Sequence, residues 1–451
     1  MPELETLAAP SEDIRKRLSS LFTGMMKSLF KEKGAEFRVE LVADPAVQKF
    51  VSTHASAMDS AFEKVPMSEG RRRRLTRSNY IFSGMKAFHE LHEAFPSLLD
   101  ENGNRKPFEQ FLNDVQKIDA TYNVNYLRAE YNFVSASAEM AARWEQFMRD
   151  GDRYNLQYRT QRDDKVRPEH AALDRVTLPP SDSFWEEFYP PNGWNCRCYV
   201  QGVSEARLKR RGWKVERSEG KIISREIRLR DRRSGEVTPR SVTGYTLGPG
   251  RVVWTDAGFD YNAGAVSLAD NILRERIRGL KDPALYEQAR QAFNNSTARH
   301  EGFAAVVEGW QKDKTPRKRT AILGLMRWQE LLHARAQGAD ASGVVAFADD
   351  RLQHAGRGIH QTKGTAVPDA VYPQLAALFS RPEAVYWDEA HENLLYLFPD
   401  PEDGWCRIMP VNVPGTDKKK QKKLGRHDGV ASFYRLERSN LHRGRKLQKI
   451  R

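Results

Sequence analysis

Apolar residues recur every three or four positions along the first third of the chain, from about residue 11 to residue 150. Near the end of this stretch, two apolar stripes follow the helical repeat of 3.6 residues. One stripe comprises Leu127, Tyr131, Val134, Ala138 and Ala141, and the other comprises Phe133, Met140, Trp144 and Phe147. Because a helix with two apolar stripes belongs inside a bundle or an interface, the pattern predicts a helical region over residues 1–150. Gly151 is expected to end it, since glycine usually follows a helix C-terminus.

The helical pattern stops at residue 151, and no sustained period replaces it over the next hundred residues. Residues 154–200 are rich in Arg, Pro, Asp and aromatic residues, which predicts a compact unit built from loops. Short apolar runs at 222–242 and 252–254, broken by Ser, Gly and Pro, predict strands. We therefore place one domain at residues 151–265.

Beyond residue 265 the pattern is first helical and then mixed. Residues 266–340 are polar with helical spacing, so we expect a helical connector there. Residues 344–347, 384–387 and 394–398 have the composition of buried strands and residues 373–379 that of a helix, which predicts a small α+β domain over 341–451. The predicted fold class is multidomain α+β, with a helical N-terminal region, a loop-rich middle domain and a small α+β C-terminal domain.

The chain of 451 residues is basic, with 73 Lys and Arg against 60 Asp and Glu and a net charge of +13. Residues 412–451 contain thirteen Lys or Arg and three Asp or Glu, a net charge of +10 that leaves +3 for the rest. A concentrated basic segment attracts phosphates, although a solvated tail would have the same composition. The candidate nucleic-acid contacts in this segment are Lys418, Lys419, Lys420, Lys422 and Lys423.

Several classes of protein are disfavoured by features that the sequence lacks. No apolar run approaches the ~18–20 residues that span a bilayer, and the acidic start is unlike a secretory signal. Three cysteines do not make a disulfide framework, which suits a reducing compartment. The glycine-rich phosphate loop, the dinucleotide fingerprint and the serine nucleophile elbow are all missing, and we therefore disfavour nucleotide-driven packaging and dinucleotide redox chemistry.

Cysteine and histidine are concentrated in two short elements, Asp163-Asp-Lys-Val-Arg167-Pro-Glu-His170 and Pro190-Pro-Asn-Gly-Trp-Asn195-Cys196-Arg-Cys198. Two thiolates, an imidazole and a carboxylate are a usual ligand set for tetrahedral zinc. We hypothesise a structural zinc site formed by Asp163, His170, Cys196 and Cys198. Two alternatives stay open. The cysteines are simply buried beside a hydrogen-bonded network of His170, Arg167 and Asp163, or they form a catalytic Cys–His pair, for which no oxyanion-donor loop is recognisable.

The same two elements resemble the hallmark of the phage Mu F-like head morphogenesis family, Asp-x-x-Val-Arg-x-x-His followed by Pro-Pro-x-x-x-Asn-Cys-Arg-Cys. Residues 122–132 and Gly258-Phe-Asp-Tyr-Asn262 match as well, so the resemblance covers about residues 45–265. It implies a minor capsid protein that acts beside the portal during head assembly, contacts portal and capsid proteins rather than membrane, and resides in the virion or, during assembly, in the host cytoplasm. The residues of the motif region for which we predict structural roles are Arg167, Trp185, Asn195 and Arg197.

The pattern of residues 341–451 resembles the phage-borne nuclease-like domains of the barnase, EndoU and RelE-like group. A metal-independent ribonuclease needs a base, an acid and cations that stabilise the developing phosphorane charge. The candidate catalytic residues are His354, His360, Lys363, Tyr396, Ser432, Tyr434 and Arg435. The alternative is that both histidines are merely solvated in a glycine-rich loop.

The leading functional prediction is a minor head protein that binds portal or capsid proteins through its helical region. One alternative is an active metal-independent ribonuclease toxin delivered with the particle. The other is a free basic protein that binds RNA or DNA, which would explain the charge but would leave the two-part motif without a role.

Overall fold

The protein is described by a computed structural model that covers residues 10–34, 36–150, 153–230, 237–265, 273, 276–312, 319–355, 364–413 and 428–451. Within these ranges, a helical N-terminal region is followed by a middle unit with two small sheets and by a C-terminal unit built on one larger sheet. This confirms the predicted multidomain α+β class. None of the described helices is long and apolar enough to cross a membrane.

Five long helices form the N-terminal region, as the spacing predicts. They are α1 (Glu12–Lys31), α2 (Pro45–Asp59), α3 (Glu69–Ala94), α4 (Phe108–Asp119) and α5 (Leu127–Asp150). The side chains of Ser11, Asp44 and Ser68 accept hydrogen bonds from backbone N–H groups at the starts of α1, α2 and α3. These bonds satisfy donors that a helix start leaves unpaired. A π-helical turn, Ala120–Asn125, joins α4 to α5.

Helix α5 buries its two predicted stripes in two different cores. Leu127, Val134 and Ala138 pack in the core of the helical bundle. Met140, Trp144 and Phe147 pack in the core of the middle unit. The double pattern in the sequence therefore marks a helix shared by two units.

The middle unit contains two three-stranded antiparallel sheets and three short helices. The first sheet has the order β2-β1-β3, formed by β1 (Asn155–Arg159), β2 (Thr177–Leu178) and β3 (Tyr199–Val203). The second is a meander of β4 (Ile222–Arg230), β5 (Val237–Gly248) and β6 (Arg251–Trp254). The helices are α6 (Pro168–Ala172), α7 (Phe184–Glu187) and α8 (Glu205–Arg211). The strands of the second sheet were predicted, whereas β1 to β3 are too short to give a periodic signal.

The C-terminal unit is built on an eight-stranded sheet with the order β14-β9-β10-β11-β12-β8-β7, in which β13 also pairs with β11. Its strands are β7 (Thr320–Leu325), β8 (Val344–Ala348), β9 (Ala384–Asp388), β10 (Asn393–Pro399), β11 (Trp405–Asn412), β12 (Asp428–Val430), β13 (Tyr434–Glu437) and β14 (Leu447–Lys449). Its helices are α9 (Pro283–Asn294), α10 (Thr297–Lys312), α11 (Trp328–Ala336), α12 (Asp349–Ala355) and α13 (Leu375–Phe379).

The stretch predicted as a helical connector belongs to this C-terminal unit. Tyr286 of α9, Phe303 of α10 and Leu323 of β7 share one core with Phe347 and Trp387 of the sheet. Strand β7 lies inside the stretch and pairs antiparallel with β8. A mostly apolar segment of only six residues, such as Thr320–Leu325, fits a strand or a buried helix equally well, which is why the sequence pattern missed it.

Candidate metal centre

Three candidate zinc ligands come together in the middle unit from separate parts of the motif. His170 lies in α6, and Cys196 and Cys198 lie in the segment that enters β3. The two sulfur atoms and the imidazole lie within 4.8 Å of one another, and His170 Nδ1 is 3.6 Å from each sulfur. All three side chains are buried. Such a compact group of soft donors has the composition of a zinc site.

The loop geometry before Cys196 turns both cysteines toward the histidine. Asn195 has a φ of 57°, in the left-handed region that asparagine tolerates better than most residues. The N–H of Cys196 donates to the carbonyl of Gly193 at 3.2 Å, which closes a tight turn. Asn195 Oδ1 accepts a hydrogen bond from Asn132 Nδ2 of α5 at 3.1 Å. The predicted structural role of Asn195 is thus a turn conformation together with a contact to α5.

The two cysteines share their protons unequally. A hydrogen bond from the Cys198 thiol, followed by contact with His170, lowers the pKa of Cys196 well below its ordinary value. The same bond with Cys196 raises the pKa of Cys198, and burial adds to the rise. The arrangement therefore favours one thiolate, on Cys196. A thiolate is the form that binds metal.

Tyr158 and Asn192 border this cluster and were not among the predicted site residues. Burial and then the nearby cysteines raise the pKa of Tyr158 well above its ordinary value. Its hydroxyl donates to Asn192 Oδ1 at 3.0 Å. Both residues lie within or beside the motif elements, and that position was the only signal in the sequence that could have marked them.

Asp163, the predicted fourth ligand, lies outside the cluster of ligand atoms. Its Oδ1 accepts a hydrogen bond from Arg197 Nη2 at 2.7 Å, and about a third of its side chain is exposed. This hydrogen bond is the main cause that lowers the pKa of Asp163. The guanidinium competes for the carboxylate and holds it at the surface, so the ligands that converge are His170, Cys196 and Cys198.

Arg167 contacts the proline-rich loop through its guanidinium group. Its Nη2 donates to the carbonyl of Trp194 at 2.8 Å, and its Nη1 lies 3.8 Å from Asp256. Trp194 packs edge-on against Phe133 of α5 and Phe259, with 5.3 Å between ring centroids in each pair. The loop is therefore held by both an arginine and an aromatic cluster.

Trp185 links the same loop region to the predicted Gly258–Asn262 match. The indole is fully buried, and its Nε1 donates to the carbonyl of Pro179 at 3.0 Å. The carbonyl of Trp185 accepts a hydrogen bond from Asn262 Nδ2 at 2.9 Å. Residues about eighty positions apart in the sequence are thus joined beside the core that contains Trp185, Cys196 and Cys198.

The predicted nuclease residues that the structure describes do not meet in one cleft. Tyr396 is fully buried on one face of the sheet and donates to Glu330 Oε2 at 2.8 Å. Tyr434 lies on the other face and accepts from Arg445 at 2.9 Å. Arg435 is paired with Asp400 at 2.9 Å. Ser432, half-buried, lies in the short connection between β12 and β13.

The remaining candidates lie outside what the structure describes. The backbone of His354 is in α12, but its side chain is not described. The other candidates outside the described residues are His360, Lys363, Lys418, Lys419, Lys420, Lys422 and Lys423. Their catalytic and nucleic-acid-binding roles stay predictions of the sequence.

The fold and the site define a class of protein in which a helical bundle, a Cys/His-centred middle unit and an α+β unit follow one another. Residues 101–201, which include all three converging ligands, match the family described as Phage Mu protein F like protein. The chain is 30% identical over 350 residues to the "Putative capsid assembly protein F" of Escherichia phage Mu, covering 76% of this chain and 74% of that protein. It is 27% identical over 352 residues to the "Mu-like prophage FluMu F protein" of Haemophilus influenzae, covering 76% and 80%.

This protein therefore belongs to the Phage Mu F-like family. The family expected from the two-part motif is confirmed. No solved structure matches the chain.

Proposed function

We propose that this protein takes part in assembling a phage capsid. The observation that carries the proposal is the 30% identity, over three quarters of the chain, with the phage Mu protein named for capsid assembly. The finer proposal, based on the motif, is a minor head component that lies beside the portal and becomes part of the virion. The described residues add apolar side chains at the surface of the helical region, such as Val124 and Tyr126, which suit contacts with other proteins.

Deletion of the gene from the phage or prophage that carries it tests this role. Lysates of the deletion strain should contain few DNA-filled heads by electron microscopy, and a plasmid copy should restore them. Mass spectrometry of purified wild-type particles should detect the protein. Normal heads in the deletion strain would reject the assembly role, and its absence from particles would reject residence in the virion.

We also propose that His170, Cys196 and Cys198 hold a structural zinc ion. The support is the convergence of three buried donors, with His170 Nδ1 3.6 Å from each sulfur, a separation that suits an imidazole and a thiolate bound to the same tetrahedral zinc ion. A zinc ion would crosslink α6 to the start of β3 in a unit whose first sheet has strands of two to five residues. Zinc takes four ligands, and the fourth is left to water or another oxygen donor, since Asp163 is bound to Arg197.

Metal analysis of the purified full-length chain tests the zinc proposal. We expect about one zinc per chain, lost in Cys196→Ser, Cys198→Ser and His170→Asn. Asp163→Asn is the matched control and should keep its zinc. A metal-free wild-type protein, purified without chelators, would favour the alternative in which the cysteines and the histidine form only a hydrogen-bonded network. Loss of zinc in Asp163→Asn would restore Asp163 as a ligand.

No observation on the described residues favours the ribonuclease alternative. Tyr396 and Tyr434 lie on opposite faces of the C-terminal sheet, and Arg435 is paired with carboxylates. The structure equally adds nothing in favour of a free nucleic-acid-binding protein. Neither role is part of our proposal.

A further inference from the structure

An arginine-lined cleft of about 520 Å³ lies between the N-terminal helices and the C-terminal unit. One wall consists of the first part of α3, the end of α5, and Arg319, the residue before β7. The arginines that line the cleft are Arg71, Arg73, Arg74, Arg77, Arg149 and Arg319, and Glu145 is the one carboxylate among the described lining residues. Arg71, Arg73 and Arg319 pair with Glu145, Glu69 and Asp349, and the six arginines outnumber these carboxylates. The described residues therefore give the cleft a net positive charge that is independent of the basic C-terminal segment.

The opposite wall is a face of α10 that carries small residues. Gly302, Ala305 and Gly309 recur there at helical spacing, and a Cβ built on Gly309 meets no atom within 4 Å. Val306 and Trp310 add apolar surface to the same wall. The missing side chain of Gly302 leaves room for the guanidinium of Arg77, which packs against it, and Gly309 faces open space. The wall therefore offers both open space and apolar surface beside the charged groups.

The arginines are crowded, and one of them is buried. Arg71 is 5% exposed; its Nη1 donates to the carbonyl of Gly264 at 2.9 Å. Its Nε lies 3.6 Å from Glu145 and has no hydrogen-bond partner among the described residues. Burial and then Arg74 lower the pKa of Arg71 to about 10. Guanidinium groups held this close repel one another, and an anion in the cleft would relieve the repulsion.

Two of the arginines that line the cleft have exposed side chains. Arg77 and Arg149 are exposed, and neither forms an ion pair with a carboxylate among the described residues. Arg73, also exposed, bonds Glu69 of its own helix at 3.0 Å. Arg77 and Arg149 are therefore placed to bind carboxylates supplied from outside.

We propose that the arginine-lined cleft binds an acidic segment of a partner protein, one with at least two carboxylates and an apolar side chain between them. Carboxylates match the forked geometry of guanidinium groups, and the apolar side chain would pack against Val306 and Trp310. Nucleic acid fits less well. It binds along extended basic faces of roughly 1,000–2,500 Å², and phosphates gain nothing from an apolar wall. The inference goes beyond the capsid role and depends on neither that role nor the zinc ion.

Fluorescence anisotropy on the full-length chain tests this proposal, with a fluorescein-labelled peptide of Glu-Glu-Leu repeats as the probe. A Gln-Gln-Leu peptide of the same length, a single-stranded oligodeoxynucleotide and inorganic phosphate are the comparison ligands. We expect the acidic peptide to bind at least about tenfold more tightly than the glutamine peptide, with an affinity that falls as salt is added.

Two variants place the binding in the cleft. Arg77→Gln combined with Arg149→Gln removes charge, and Gly309→Leu fills the space without changing charge; each should weaken peptide binding by about tenfold or more. Arg210→Gln combined with Arg211→Gln, at the exposed end of α8, is the control with the same charge change and should bind as the wild type does.

Three results would overturn the proposal. The first is equal binding of the acidic and glutamine peptides. The second is undiminished binding by both cleft variants. The third is tighter binding of the oligodeoxynucleotide than of the acidic peptide with the same dependence on Arg77 and Arg149, which would make the cleft a nucleic-acid site.

Discussion

Gly193 lies in the loop that carries Cys196, at a position where any side chain would displace two charged groups. A Cβ at this residue would lie 2.5 Å from Arg167 Nη1 and 2.6 Å from Asp256 Oδ2. Both groups are ends of flexible side chains and can move. Movement of Arg167, however, gives up its 2.8 Å hydrogen bond to the carbonyl of Trp194. The loop that carries Cys196 therefore needs glycine at this point.

Substitution Gly193→Ala should lower the free energy of unfolding by about 1–2 kcal/mol, the usual range for one lost hydrogen bond with some local strain. Urea denaturation measures this change. Gly84→Ala, in the middle of α3 with nothing within 4 Å of the added Cβ, is the control. It should stabilise the protein by about 0.5–1 kcal/mol, because alanine favours helix more than glycine does. Equal effects of the two substitutions would show that the loop is not constrained at 193.

Sequence reasoning at the residue scale identified the converging donors but not all of their partners. His170, Cys196 and Cys198 were found because their residue types and proximity in the motif match a metal ligand set. Asp163 was misplaced because its oxygen is bound by Arg197, a competition between neighbours that spacing does not reveal. The run Arg71–Arg74 is visible in the sequence and favours an acidic partner protein, but the sequence does not show that Arg149 and Arg319, distant in the chain, lie beside it.

The helices of the N-terminal bundle are joined by buried charges as well as by apolar packing. Lys86 of α3 lies 2.8 Å from Glu130 of α5, and His54 of α2 lies 3.1 Å from the same carboxylate. Burial alone would raise the pKa of Glu130, but Lys86 and His54 outweigh burial and lower it. Burial and then Lys86 lower the pKa of His54. Three helices thus meet at one carboxylate.

Glu90, one turn beyond Lys86 on α3, is a second buried carboxylate, and its neighbours stabilise its charged form less than those of Glu130 do. Burial raises its pKa to about 8, while Lys86 and a 3.4 Å contact with Asn123 lower it only in part. In the unfolded chain the pKa returns to the ordinary value of 4.5. The folded state therefore holds the proton more tightly, so this side chain stabilises the fold fully below pH 4.5 and loses that stabilisation as the pH rises toward 8.

The substitution Glu90→Gln should consequently remove the part of the pH dependence of the free energy of unfolding that Glu90 causes. The variant is expected to match the wild type near pH 4.5 and to be more stable by up to about 5 kcal/mol above pH 8, because the pKa rises from 4.5 to about 8 at about 1.4 kcal/mol per unit. Urea titrations across this range measure the difference. Glu109→Gln, an exposed carboxylate on α4 with the same charge change, is the control. A constant difference between Glu90→Gln and wild type at all pH values would contradict the assignment.

Helices and strands were predictable from the sequence where a hydrophobic pattern marks the whole element. The long helices and the strands at 222–230 and 384–399 follow clear patterns, and the structure has them. Strand β7 was missed because its six residues are too few to show a period, and its partner β8 begins some twenty residues further along. Strand β7 is defined by its pairing with a distant segment, and such pairing cannot be predicted from the pattern of a single sequence.

At the scale of the whole molecule, the boundary of the C-terminal unit lies well before residue 341. Its core includes Ile277, Tyr286 and Phe303 together with the sheet. The N-terminal bundle contacts the start of this unit directly, since Arg74 Nη2 donates to the carbonyls of Ala265 and Thr320 at 3.2 and 3.1 Å. An RNA-cleavage test of the unconfirmed nuclease prediction should therefore use the full chain.

A fragment of residues 341–451 should fail to fold, because it lacks β7 and the helices α9, α10 and α11 that cover the sheet. A fragment of residues 273–451 should unfold cooperatively on heating. Circular dichroism and the dispersion of amide signals in NMR spectra distinguish the two outcomes. Cooperative melting of the shorter fragment would return the boundary to residue 341.

Part of the positive charge of the last forty residues lies close to carboxylates in the folded molecule. Arg435 pairs with Asp400, Arg438 with Glu383, and Arg445 lies 3.7 Å from Asp388. These arginines fasten β13 and the following turns to the sheet. Part of the basic charge that predicted phosphate binding therefore has a structural use.

Helix α5 contributes to two cores at once, so the unfolding of the bundle and the unfolding of the middle unit are coupled. If the bundle opens, the face of α5 that carries Leu127 and Val134 meets water. If the middle unit opens, the face that carries Trp144 and Phe147 does so. Because one helix cannot lose its structure for one partner and keep it for the other, the most protected amides of both units should share one free energy of opening in hydrogen exchange. The cluster of His170, Cys196 and Cys198 is then protected from unfolding by helices that never touch it.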